Sequence, residues 1–143
     1  MKIVIIDYGA GNIQSIKFAI QRLGYEAVLS KDPEKIKAAD KVIFPGVGEA
    51  GSAMRKLKES GLDKIIPQLK QPVLGICLGM QLMCAHTEEG DTTGLGIFDI
   101  NIVKFTTSVK VPQIGWNQIT DFKSSLFSSV AENEHVYLVH SYY

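Results

Sequence analysis

The stretch Gly75-Ile76-Cys77-Leu78-Gly79-Met80-Gln81 frames a thiol with two glycines at the end of an apolar run. Pro72-Val73-Leu74 with Ile76 reads as a short buried strand, and Met80 to Ala85 reads as the start of a helix. Gly-x-Cys-x-Gly between a strand and a helix is the thiol counterpart of the Gly-x-Ser-x-Gly nucleophile elbow. A nucleophile on so tight a turn has a strained backbone and tolerates only small neighbours, which Gly75 and Gly79 supply. The helix N-terminus beside it favours thiolate over thiol. A structural core cysteine is the other reading, but flanking glycines at a strand-helix junction favour the nucleophile.

A second glycine stretch, Pro45-Gly46-Val47-Gly48, follows the run 41–44. In an open α/β sheet ligands bind beyond the carboxyl ends of the strands, so this loop and Cys77 are expected on one edge. Exposed N–H groups there could form an oxyanion hole, where removing one donor costs on the order of 3 kcal/mol; an ordinary strand-to-helix turn is the alternative. A thiol also needs a base, usually histidine. His86 is expected to face away on the same helix as Cys77, and His135 to mark an exposed strand entry after Glu132-Asn133-Glu134. His140, in the terminal β-prone run, is the one candidate that could approach the site.

These groups need a scaffold, and the pattern of elements supplies one. Residues 2–7 form a β-branched run that suits a strand covered on both faces. Asn12 is positioned to cap a helix whose inward residues are Ile13, Ile16, Ile20 and Leu23, stopped by Gly24. Gly9-x-Gly11 lacks the third glycine of a dinucleotide fingerprint, because position 14 is Gln. A strand over 25–30, a short helix opened by Asp32-Pro33, a strand over 41–44 and a helix over 52–59 follow. Residues 62–69 add a helical turn or two, interrupted by Pro67. This alternation predicts a parallel, doubly wound sheet. Beyond the elbow, 94–104 reads as a strand in a more antiparallel part. Residues 111–117 are too rich in turn formers for a regular element, 124–130 reads as a short helix and 136–143 as a last strand.

The chain has 143 residues, 45% hydrophobic and 21% charged, which suits one domain over 1–143 with a proper core. Fifteen basic residues balance fifteen acidic ones, so nothing points to nucleic acid or an anionic membrane surface. No apolar run approaches a membrane span, and no signal peptide is visible. Cys77 and Cys84, placed on one helix, would be about 10 Å apart along its axis, too far for a disulfide. A reduced, cytoplasmic protein is expected.

The elbow resembles the nucleophile motif of the class I (triad) glutamine amidotransferases. Four other stretches narrow the resemblance: Ile6-Asp7-Tyr8-Gly9-Ala10-Gly11-Asn12, Pro45-Gly46-Val47-Gly48, Gln113-Ile114-Gly115-Trp116-Asn117 and Val139-His140-Ser141-Tyr142. Together they are similar to the branch that feeds a (β/α)8 cyclase subunit in a heterodimer of histidine biosynthesis. The resemblance implies a flavodoxin-like, open, doubly wound fold and hydrolysis of glutamine through a Cys77 thioester. Gly46, Val47, Gly48 and Leu78 would supply the oxyanion hole, and Gln81, Glu89, Ser141 and Tyr142 would grip the substrate. Gln81 sits one helical turn from Cys77, and a carboxylate at Glu89 suits the substrate ammonium, a solvated loop residue being the alternative. Trp116, Asn117 and Tyr137 match positions at the subunit junction. No cofactor or metal is implied.

The family's base and orienting acid, a His-Pro-Glu motif beyond the Ser-Tyr strand, are not among these 143 residues, and His140 does not inherit the role. The domain is therefore expected to be incomplete at its C-terminus, with negligible glutaminase activity in this form. Rival readings are a noncatalytic barrel-binding subunit, another thiol enzyme using His140, and a glutaminase subunit of a different synthase.

Overall fold

The β-branched run forms β1 (Ile3–Ile6), with all four side chains buried. The structure, a computed structural model, describes residues 1–106 and 108–143. They fall into two compact units, Met1–Val103 and Lys104–Tyr143, each described by itself.

In the first unit β1 lies between β2 (Ala27–Ser30) and β3 (Lys41–Phe44), and β4 (Val73–Gly75) pairs with β3. All pairings are parallel, in the order β2-β1-β3-β4, and Phe44 stands opposite Gly75. This is the α/β, doubly wound arrangement expected from the alternating elements. Helix α1 (Ile13–Arg22) covers one face, where Ile13, Ile16 and Ile20 pack with Ile3, Ile5 and Ile43. On the other face Val4, Ile6, Val42 and Phe44 meet residues of α2 (Pro33–Lys37), α3 (Ala50–Ser60) and α4 (Leu62–Ile65). Asn12 caps α1 by accepting from the Ser15 N–H at 3.3 Å, and Asp32 caps α2 by accepting from Glu34 at 2.9 Å. Leu23, expected inward, is 73% exposed, because it is the C-cap of α1, beyond the apolar stripe. The strand β4 is an edge strand, so it is only partly covered and Leu74 is exposed rather than buried. Among the described residues no helix is long and apolar enough to cross a membrane.

The elbow helix is shorter than its sequence implies. Helix α5 covers Leu78–Leu82, and Cys84–Thr87 is strand β5. Carbonyls that would have continued the helix are taken by a distant segment: Leu82 accepts from Leu95 at 2.8 Å, Met83 from Ile97 at 2.9 Å and Ala85 from Gly94 at 2.9 Å. Non-local pairing outweighs local helix propensity here. Cys84 and His86 are therefore strand residues and do not share a helix with Cys77. Strand β5 lies between β6 (Thr92–Thr93) and β7 (Phe98–Ile102), antiparallel to the first and parallel to the second.

In the second unit residues 113–118, read as too turn-rich for a regular element, form strand β8 (Gln113–Gln118). It pairs antiparallel with β9 (His135–His140) over six residue pairs. A ladder this long compensates for the poor strand propensity of Gly115 and Asn117. The expected helix over 124–130 is one 3₁₀ turn, Ser125–Phe127, opened by Ser124 accepting from Leu126 at 3.1 Å.

Candidate active site

Cys77 follows β4 with φ 53° and ψ −120°, a conformation that favours glycine and costs a residue with a Cβ roughly 1–3 kcal/mol. Its side chain is exposed. The strain is held by packing on both sides. The Ile76 N–H donates to the Phe44 carbonyl at 3.0 Å, and the Cys77 carbonyl accepts from Gln81 at 3.1 Å. A Cβ on Gly75 would come within 2.6 Å of the Met80 Cα, and one on Gly79 would overlap the Phe44 carbonyl oxygen. Both glycines are thus fixed by close backbone approach, as a tight elbow requires.

The glycine loop lies directly against this turn. Gly46 is buried, and a Cβ there would strike the Gly79 amide nitrogen. Val47 and Gly48 are exposed, and Gly48 has φ +94° with open space where a side chain would stand. Leu78 is the first residue of α5, so its N–H has no partner within the helix. The expected oxyanion residues Gly46 and Leu78 are therefore neighbours, with Val47 and Gly48 continuing from Gly46 at the carboxyl end of β3. Gln81 is part-buried on α5, one turn from Cys77.

Glu89 is not a solvated loop residue. Its Oε2 accepts from the Ala50 N–H at 2.9 Å, its own N–H donates to Thr87 Oγ1 at 3.2 Å, and its carbonyl accepts from Thr92 Oγ1 at 2.9 Å. Glu49 accepts from Gly51 at 2.7 Å and Ser52 at 2.8 Å. Two carboxylates thus cap the first turn of α3, where the helix dipole favours negative charge. The Ser52 and Gly51 N–H groups hold the Glu49 carboxyl below its ordinary pKa.

Tyr8 had no role assigned from the sequence, although it lies inside a quoted motif. Its side chain is buried, its hydroxyl donates to the Pro45 carbonyl at 2.8 Å, and its ring tilts against Phe44 with centroids 5.5 Å apart. Burial first, then the negative charge of Cys77, push its phenol up to about 12. The available signal was positional: Tyr8 follows the strand beside β3, on the ligand-binding edge of the sheet. Lys56 was also missed; its Nζ donates to the Gly9 carbonyl at 2.9 Å and ties α3 to the turn after β1.

The first unit contains one histidine, His86, whose Nε2 is 2.9 Å from an Asp91 carboxylate oxygen. In the second unit His135 is the exposed first residue of β9, as expected. His140 Nδ1 donates to the Tyr142 carbonyl at 2.8 Å, and its ring meets Phe105 edge-on at 5.0 Å. The Ser141 carbonyl accepts from Phe105 at 3.0 Å, and Tyr142 bridges to Lys104. Trp116 and Tyr137 stand opposite each other on β8 and β9, rings 5.6 Å apart, and Trp116 is 68% exposed. Asn117 donates to the Gly115 carbonyl and accepts from Gln113.

Comparison with known proteins agrees with this geometry. The family model "Glutamine amidotransferase class-I" matches residues 4–143. The imidazole glycerol phosphate synthase subunit HisH of Bacteroides fragilis (strain YCH46) is 57% identical over 146 residues, covering 100% of this chain and 74% of the relative. The HisH of Bacteroides thetaiotaomicron is 53% identical with the same coverage. A crystal structure of a glutamine amidotransferase superposes with a TM-score of 0.74 at 17% identity, over 97% of this chain and 71% of that one, a likeness of fold. A strained thiol turn locked to a glycine loop is what such kinship requires, and the likeness runs the length of the sequence: the chain belongs to the class I glutamine amidotransferases, among the HisH subunits of imidazole glycerol phosphate synthase.

Proposed function

We propose that this chain is the glutaminase subunit that hydrolyses L-glutamine through a Cys77 thioester and hands the ammonia to a (β/α)8 cyclase subunit in histidine biosynthesis. The single observation that carries the reading is the strained, exposed Cys77 packed through Gly79 and Gly46 against the glycine loop. The Cys77 sulfur adds to the side-chain amide carbon of glutamine, and the carbonyl oxygen becomes an oxyanion. The N–H groups of Leu78 and loop 46–48 stabilise that charge, each donor contributing on the order of 3 kcal/mol. Collapse expels ammonia, protonated as it leaves, and forms the thioester. Water then attacks the same carbon through a second oxyanion and releases glutamate.

Gln81, Glu89, Ser141 and Tyr142 hold the substrate in this reading. Glu89 attracts the ammonium by charge, and its bond to Ala50 fixes the carboxylate beside the end of the loop. Both compact units belong to one amidotransferase domain, which the family match across 4–143 supports. Trp116, Asn117 and Tyr137 face the cyclase, supported by the exposed aromatic pair on β8 and β9. Two free cysteines fit a reducing cytoplasm.

Glutamate release by the polypeptide Met1–Tyr143, mixed with a cyclase subunit and its nucleotide substrate, tests the reading, with Cys77→Ser as control. The expected outcome is that a glutamine-like alkylator loads Cys77 while release stays several orders of magnitude below that of a full triad. The reason is that no residue among those described is assigned as a base for Cys77. Robust release abolished in the control would instead assign a base within these residues, with His140 first to be tested. Failure of the alkylator to single out Cys77 would sink the glutaminase reading.

A further inference from the structure

We propose that Tyr8 is a positioning residue of the thiol site, its hydroxyl locking the Pro45–Gly46 peptide so that loop 46–48 keeps its donors in place for the oxyanion. The inference rests on the reading of Cys77 and that loop as nucleophile and oxyanion hole.

The loop has two anchored ends and a short open span. Downstream, Glu89 holds the Ala50 N–H, while Glu49 holds Gly51 and Ser52. Upstream, Gly46 is wedged against the backbone of Leu78 and Gly79, and the Pro45 carbonyl accepts from Tyr8 at 2.8 Å. Between them Val47 is half exposed and Gly48 has open space around it.

In a trans peptide the carbonyl and the following N–H point in opposite directions. Fixing the Pro45 carbonyl therefore fixes where the Gly46 N–H points. Pro45 is fully buried, so a carbonyl deprived of its donor would be left unsatisfied there. Such a loss is unfavourable and is relieved by rotating the peptide, which turns the N–H with it. Tyr8 itself cannot rotate freely, because its buried ring packs on Phe44, the last residue of β3.

Nor is Tyr8 a candidate general base. Its hydroxyl hydrogen is committed to Pro45, and burial pushes the phenol up to about 12, further from the neutral range in which a phenol is already protonated. Lys56 Nζ donates to the carbonyl of Gly9, the residue after Tyr8. The group acts through the peptide it holds and does not exchange a proton with substrate.

The test compares two labels of Cys77 in wild-type protein and Tyr8→Phe. With a chloroketone analogue of glutamine, sulfur adds to the ketone carbon to give an oxyanion, then moves to the chloromethyl carbon and expels chloride, while the first carbon–sulfur bond breaks and the oxyanion returns to a ketone. With iodoacetamide, sulfur displaces iodide directly and no oxyanion forms. Both need the thiolate, so only the first reads the donors. Tyr8→Phe is expected to slow the chloroketone by roughly tenfold or more, with iodoacetamide within about twofold, and to shift the Gly46 amide resonance in the ¹⁵N spectrum. Equal slowing of both reagents, or no change in either with Gly46 unmoved, would overturn the role of Tyr8 while leaving the thiol site intact. A wild-type chain that takes the glutamine analogue no faster than a plain chloroketone would overturn the site itself. Independently of any variant, the Tyr8 hydroxyl proton of wild-type protein is expected to exchange slowly with water before and after loading. Fast exchange would show that the bond to Pro45 does not persist, and would overturn the proposal.

Discussion

At the scale of single residues, Cys77 shows how a strained position is held. Its backbone sits where a Cβ is disfavoured, at φ 53°, and the surrounding contacts leave it no alternative. The strain is separable from the chemistry by two substitutions that both remove the thiol. Cys77→Ala keeps the Cβ and its strain, whereas Cys77→Gly relieves it. The glycine variant is expected to be the more stable by about 1 kcal/mol, net of the extra flexibility glycine gives the unfolded chain. At this size that is a melting temperature higher by roughly 3 °C, measured by circular dichroism. Equal melting temperatures would mean that the elbow relaxes when the sulfur is gone.

At the scale of elements, α3 is the part that connects loop 46–48 to the Glu89 carboxylate. Its first three N–H groups go to Glu89 and Glu49, two carboxylates from separate stretches of chain. Glu49 is exposed and its carboxyl is held below the ordinary value, chiefly by the Ser52 N–H and then by Gly51. A depressed folded-state pKa means that the unfolded chain takes up its proton first as the pH falls. The stabilisation is therefore complete above about pH 4.5 and fades as the pH drops through the folded value. In urea melts, Glu49→Gln is expected to lower the midpoint at neutral pH, with the gap to wild type closing as the pH falls below the ordinary glutamate range. A gap independent of pH would assign the effect to packing rather than to the charged cap.

At the scale of the whole molecule, the relatives are named as subunits of a synthase, and in the proposed function the β8–β9 ribbon is the surface that meets the second subunit. Ile114, Trp116, Tyr137 and Val139 are all exposed, at paired positions on one face of the ribbon. Large aromatic anchors of this kind carry most of the energy at protein interfaces, while their neighbours mainly exclude water. Trp116→Ala is expected to weaken binding of the cyclase subunit by about 2 kcal/mol, roughly 30-fold in Kd, as measured by calorimetry. The rate of Cys77 alkylation by iodoacetamide should not change. Unchanged affinity would move the junction elsewhere.

The sequence by itself determined the parallel α/β frame, because β-branched runs, caps at Asn12 and Asp32 and the glycine stop at Gly24 are local signals that agree with one another. It also singled out Cys77 as the proposed nucleophile, since a thiol between Gly75 and Gly79 serves few other ends. Only the tertiary structure decided that α5 stops at Leu82, because the bonds that end it come from Leu95 and Ile97, beyond the reach of any local pattern. The same holds for β8, a strand because β9 pairs with it, and for Glu89, whose partner Ala50 lies far back in the chain. Tyr8 and Pro45 meet because β1 and β3 are neighbours in the sheet. Propensity and spacing act over a few residues, whereas these contacts exist only once strands from separate parts of the chain have found their order.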